Sequence, residues 1–238
     1  MSAATASVQV LRERLAALAP PPRAYSGVIA TGDEALDSIL PGGGIPTGKI
    51  VEITGAPGSG QTTLARQLVA GALATGRMVA YIDGAKVLAP RDWLLSEHSL
   101  WIVRPPPDRV ARCADLLLRS GAFGMVVVDG SVLSRPVALR LSRLAREQNA
   151  ALVVVNRSDR PVPSSALRLR MARSKKWRHE EQFQSRYWRI FIDKCGMNRS
   201  VEVSCGVPLA CRLRTHTEVP DRRGVAPRDR KGKRVSGG

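Results

Sequence analysis

The residues Gly55-Ala56-Pro57-Gly58-Ser59-Gly60-Gln61-Thr62-Thr63 are the segment of this chain whose types and spacing most directly suggest chemistry. Glycines at 55, 58 and 60 let successive backbone N–H groups converge on one concavity. A helix opening at the end of the segment would add partial positive charge, and the two together suit a phosphate group. Thr62 stands where a hydroxyl would hold magnesium. The phosphate-loop pattern calls for Lys directly before that Thr, and the chain has Gln61 instead. A lysine contact to the β- and γ-phosphates is worth on the order of 4 kcal/mol gross at an intermediate effective dielectric. Gln61 donates a hydrogen bond but brings no charge. The backbone cradle is expected to survive, with triphosphate binding and transition-state charge stabilisation both weakened.

Such a loop needs a strand before it and a helix after it. Ile50 to Thr54 reads as the strand and Thr62 to Ala74 as the helix. Met78 to Asp83, Leu100 to Val103, Met125 to Asp129 and Leu152 to Asn156 are apolar runs that read as buried strands. Asp108 is placed to cap a helix that buries Val110, Cys113, Ala114 and Leu117. Ser134 is placed to cap another that buries Val137, Leu141, Leu144 and Ala145. This alternation predicts right-handed βαβ units and a parallel sheet covered on both faces. The pattern then shifts to period two. Leu167-Arg168-Leu169-Arg170-Met171, the run from Tyr187 to Lys194, and Val201 with Val203 read as antiparallel strands with one dry and one wet face. The expected fold is α/β, with a mainly parallel central sheet, a short N-terminal helix, a C-terminal antiparallel β-hairpin region and a basic tail. The expected divisions are residues 1–25 for the helix and linker, 26–211 for the core, and 212–238 for a disordered tail.

The residues around the loop carry a specific resemblance. Thr31-Gly32-Asp33-Glu34-Ala35-Leu36-Asp37-Ser38-Ile39-Leu40 and Gly42-Gly43-Gly44-Ile45-Pro46-Thr47-Gly48-Lys49-Ile50-Val51-Glu52-Ile53 closely resemble the segment leading into the phosphate loop of RecA recombinases. The likeness runs on through Tyr81-Ile82-Asp83, the strand ending at Asp129, and Val155-Asn156. It implies a RecA-like core with Gly55, Gly58, Ser59, Gly60, Gln61, Thr62, Thr63 and Asp129 as a vestigial nucleotide site, Asp129 matching the Walker B aspartate. RecA-like ATPases carry a catalytic Glu just after the second strand. Ala85 occupies that position here and cannot activate water. The Gln expected after the strand-ending Asn is Arg157. The two mobile loops that hold DNA in RecA are also cut short, after Asp129 and after Asn156. A decayed site, short loops and a basic tail are together similar to the ImuA family of RecA-like mutagenesis accessory proteins. That resemblance implies a non-catalytic role with no cofactor in the DNA-damage (SOS) response, in translesion synthesis and mutagenesis. The implied partners are DNA, RecA itself and an ImuB-type polymerase homologue. Two alternatives remain: a weak or partner-activated DNA-dependent ATPase, and a SulA-like cell-division inhibitor that binds a cytoskeletal GTPase.

Charge and composition bound the rest. The chain has 238 residues with a formal net charge of +17, which suits a polyanionic partner such as nucleic acid. Arg168, Arg170, Arg173, Lys175, Lys176, Trp177, Arg178 and Arg186 cluster as a candidate single-stranded DNA contact, with Trp177 available to stack on a base. A partner protein or a plain solvated hairpin would also fit them. Val8, Leu11, Leu15 and Leu18 share one helical face that either packs on its own domain or docks on a neighbouring subunit or partner, including a second copy. The tail, with Arg222, Arg223, Arg228, Arg230, Lys231, Lys233 and Arg234, fits a polyanion or an acidic protein equally. Cys113, Cys195, Cys205 and Cys211 form no C-x2-C pair, and His98, His179 and His216 are scattered, so no metal role is expected. No apolar run reaches the length of a membrane span, and Met1 to Val10 lacks the cationic start of a secretory signal. A cytoplasmic, nucleoid-associated protein without a membrane partner is expected.

Overall fold

A computed structural model describes residues 27–89, 93, 100–158, 160–173, 187–193 and 199–204. Ten strands and four α-helices are seen among them. The N-terminal part holds β1 (Val28–Ile29), α1 (Glu34–Ile39) and β2 (Ile45–Pro46). The βαβ core follows, with β3 (Ile50–Gly55), α2 (Gln61–Ala74), β4 (Val79–Asp83), β5 (Leu100–Val103), α3 (Val110–Arg119), β6 (Met125–Asp129), α4 (Arg135–Glu147) and β7 (Ala151–Val155). The last strands are β8 (Ser165–Arg173), β9 (Tyr187–Ile192) and β10 (Arg199–Ser204).

Eight strands form one sheet in the order β10-β9-β8-β3-β7-β6-β4-β5. β5, β4, β6, β7, β3 and β8 run parallel, and β9 and β10 are antiparallel to their neighbours. The α/β, mainly parallel architecture read from the sequence is present. One strand differs from that reading: β8 is the parallel neighbour of β3, and the antiparallel part begins only at β9. Its period-two pattern reflects a sheet half-covered at that end, a property that parallel strands can share with antiparallel ones. Leu167, Leu169 and Met171 are buried, while Arg168, Arg170 and Ala172 face the other way.

The core lies on both faces of the sheet. Leu64, Ala65, Leu68, Val69 and Ala72 recur at helical spacing along α2 and pack with Val51, Ile53, Tyr81, Val127 and Val153. On the opposite face Val110, Ala114, Leu117 and Leu118 of α3, with Ala138, Leu141, Leu144 and Ala145 of α4, cover Ile50, Ala80, Ile82, Val126 and Val154. β7 throughout, and β6 up to its terminal Asp129, are apolar, as a strand buried on both sides requires. The two expected caps differ in detail. Asp108 lies in a short 3-10 turn (Pro107–Arg109) ahead of α3, so Arg109 takes the cap position. Ser134 does hold the cap position of α4 but makes no side-chain capping bond. The small β1–β2 ladder and α1, whose Asp33 side chain accepts from Leu36 N at 2.9 Å, did not stand out as elements in the sequence. Among the described residues no helix is long and apolar enough to cross a membrane.

The chain from β7 back to β8 has no helix among the described residues and needs an anchor. Buried Glu52 on β3 provides it. Its Oε1 accepts from Asn156 Nδ2 (2.7 Å) and Val162 N (3.1 Å), and its Oε2 from Ser165 Oγ (3.3 Å) and Arg168 Nε (2.8 Å). A carboxylate this deep is tolerable because each oxygen has two donors and a cation answers its charge.

Candidate functional site

The phosphate loop leaves β3 at the C-terminal edge of the parallel strands, where ligands of open α/β sheets bind. Two close approaches explain its glycines. A Cβ on Gly55 would stand 2.5 Å from Ser59 Oγ and 2.6 Å from Met171 O. Gly60, at the cap position of α2, has φ +95°, and a Cβ there would stand 2.9 Å from the Trp188 indole. Gly60 offers no side chain to cap α2, and no acidic residue sits in the first turn. The helix start therefore keeps its unpaired N–H groups and partial positive charge.

Gln61 does not point at a ligand. It is buried, and its Nε2 donates to Gly55 O and to Asn156 O, both at 3.0 Å. The amide ties the loop to the end of β7, a role two carbonyl acceptors make natural.

Opposite the loop, Asp129 ends β6 with its side chain fully buried. Arg157 grips it with both arms, Nε to Oδ1 and NH2 to Oδ2, each at 2.8 Å. The same NH2 lies 3.3 Å from Thr62 Oγ1. Tyr81 donates its hydroxyl to Asp129 Oδ2 at 2.9 Å. Its phenol is pushed far above its ordinary value, first by burial and then by the Asp129 charge. The bond to Asp129 holds the Arg157 guanidinium more firmly protonated than usual. The aspartate and threonine that would hold magnesium are thus joined by a guanidinium. A metal ion would have to displace a bidentate, charge-assisted pair, so these residues do not fit a resident magnesium.

The neighbouring acid is also committed. Asp83, at the end of β4, is buried and accepts from Val87 N (3.0 Å), Leu88 N (3.2 Å) and Arg104 Nε (2.9 Å). Ala85 follows it in the turn and brings no group able to take a proton.

The cationic candidates separate. Arg168 sits on Glu52 and is only 23% exposed, so it serves the fold and is withdrawn from the set free for phosphates. Arg170 pairs with Asp193 at 2.7 Å and lies over the Phe191 ring at 4.3 Å. Arg173, the cross-strand partner of Trp188, donates from Nε to Gly58 O at 3.1 Å, which brings a guanidinium to the loop itself. Arg157 and Arg173 are therefore site residues whose roles were missed in the sequence. The signals were a cation at the position after Asn156 and a register that carries Arg173 to the level of the loop. Lys175, Lys176, Trp177, Arg178 and Arg186, like Val8, Leu11, Leu15 and Leu18, lie outside the described residues. Among the described residues no His/Cys/Asp/Glu cluster could hold a metal ion.

A strand, a phosphate loop and a helix at the edge of a doubly covered parallel sheet define the class as phosphate-loop α/β proteins. Comparison narrows it. The RecA N-terminal domain family matches residues 14–141, more than half of the chain, and the chain belongs to that family. It is 42% identical over 115 residues to Protein RecA of Bifidobacterium breve, covering 47% of this chain and 29% of that one. To Protein RecA of Treponema pallidum (strain Nichols) it is 41% identical over 115 residues, covering 47% and 28%. The matched segment spans less than a third of these relatives. The crystal structure of the RadB recombinase shares the fold, with a TM-score of 0.58 at 20% identity, covering 74% of this chain and 95% of that one.

Proposed function

We propose that this chain is a non-catalytic RecA-family adaptor of the ImuA type, acting in DNA-damage-induced translesion synthesis. It binds single-stranded DNA and links RecA with an ImuB-type error-prone polymerase homologue. The observation that carries the reading is Arg157 on Asp129 and Thr62. The chain itself ties up the two groups that would hold magnesium, while Gln61 and Ala85 take the places of the lysine and the general base. Three separate requirements of triphosphate hydrolysis are then weakened at one site. The net charge of +17 supports a polyanionic partner. DNA contact is assigned to Lys175, Lys176, Trp177, Arg178 and Arg186, because Arg168 and Arg170 are paired within the sheet.

The test is co-purification of the full chain with RecA and with an ImuB-type polymerase homologue, with ATP turnover and single-strand binding measured alongside. The expected result is capture of at least one partner, salt-sensitive single-strand binding and no turnover. Turnover stimulated by RecA and DNA would favour a partner-activated ATPase. Absence of both DNA binding and capture, with binding to a cytoskeletal GTPase, would favour a division inhibitor.

A further inference from the structure

Helices α3 and α4 spend their inward residues on the sheet and leave an outward surface between them. A cavity of about 630 Å³ opens there, on the sheet face opposite α2. Its apolar lining is Ala111 and Leu116 of α3 with Val137 and Leu141 of α4. Arg112, Arg119 and Arg140 complete the wall together with Asp108 and Asp115. We infer that this groove docks an acidic amphipathic segment of a partner protein, with apolar side chains entering between the helices and Asp or Glu side chains meeting the arginines. The inference goes beyond the adaptor reading and does not depend on the state of the nucleotide site.

Buried Asp115 organises the groove. Its Oδ2 accepts from Arg119 Nε, one turn along α3, at 2.9 Å and from Arg140 NH2 of α4 at 2.8 Å. One anion thus holds two cations, and each guanidinium keeps N–H donors that Asp115 does not use. The side chains of Arg119 and Arg140 are 47% and 61% exposed, so those donors reach solvent. Arg112 is exposed and has no carboxylate partner among the described residues, while Asp108 has Arg109 Nε 3.7 Å away. The rim therefore carries surplus positive charge. Two of its cations are already fixed in place, which lowers the ordering cost of binding. The planar fork of arginine matches a carboxylate with two parallel bonds. A nucleic-acid strand suits the groove less well. Asp115 and Asp108 would repel its phosphates, and the lining offers no aromatic ring on which a base could stack.

The probe is a displayed library of short random peptides, selected against the full chain. Enriched sequences are then synthesised and titrated by fluorescence anisotropy. They are expected to combine Asp or Glu with large apolar residues at helical spacing, and to bind less tightly as salt rises. Arg112→Gln and Leu116→Gln should each weaken them roughly tenfold, the first by removing a charge-assisted hydrogen bond and the second an apolar contact. Arg146→Gln removes the same charge from an exposed position of α4 outside the groove and should leave affinity unchanged. If Leu116→Gln fails to fold, the Arg112 and Arg146 comparison decides. No enrichment of acidic, apolar sequences, no loss in folded Leu116→Gln, or equal losses in Arg112→Gln and Arg146→Gln would each overturn the inference. So would a single-stranded oligonucleotide that displaces the peptides and itself loses affinity in Arg112→Gln but not in Arg146→Gln, since the groove would then belong to nucleic acid. The adaptor proposal is decided separately, on turnover and on co-purification with RecA and the polymerase homologue.

Discussion

Replacing Arg168 separates a structural cation from a DNA-binding one. Arg168→Met strips Glu52 of its cationic partner among the described residues while leaving Asn156, Val162 and Ser165 as donors. Breaking a buried ion pair from one side costs about 3–5 kcal/mol. Arg168 is 23% exposed and three donors remain, so water and the amides recover part of that. A loss of about 2–3 kcal/mol is expected. For a chain of this size that lowers Tm by about 5–10 °C. The double variant Glu52→Gln/Arg168→Met should be more stable than Arg168→Met alone, because it removes the stranded charge. Thermal denaturation followed by circular dichroism reads both. Single-strand affinity of folded Arg168→Met, measured well below its Tm, should match the parent. A Tm change under about 2 °C together with a clear fall in DNA affinity would refute the structural assignment.

Other outcomes follow from the same geometry. Gln61→Lys, which restores the ordinary loop residue, should not produce ATP turnover, because Arg157 still holds Asp129 and Ala85 still offers no base; an ATPase assay checks it. Gly60→Ala should cost about 1–3 kcal/mol from its φ of +95° and the Trp188 ring beneath it, read as a lowered denaturation midpoint. Tyr81 should resist ionisation in the native state. A raised phenol pKa favours the neutral form, so its stabilising effect is full below the unfolded value near 10 and is lost as pH rises above it. Ultraviolet titration to about pH 11 should therefore show at most two of the three tyrosines ionising until the protein unfolds.

Much of the scaffold was readable because it depends on local pattern. Apolar runs such as Met125–Asp129 and Leu100–Val103 have the length of strands and too little length for helices, and the helical faces of α3 and α4 follow three- and four-residue spacing. The direction of β8 was not readable, since alternation reports which face is wet and not which way a neighbour runs. The loop residues and Asp129 were likewise legible as a motif. Their present partners were not, because Arg157, Arg173 and Trp188 reach them only after the chain has crossed the sheet. A run such as Leu167-Arg168-Leu169-Arg170-Met171 shows a cluster of cations, but only the fold reveals the Glu52 beneath one of them and the Asp193 beside another.

The most direct test of the central claim is phosphate release from magnesium ATP by the purified chain, with single-stranded DNA present and with Thr62→Val and Asp129→Asn as references. A site whose metal position is filled by Arg157 should release no more phosphate than either variant. Magnesium-dependent release that disappears in Thr62→Val and Asp129→Asn would mean that the guanidinium yields to the metal and that the loop still works.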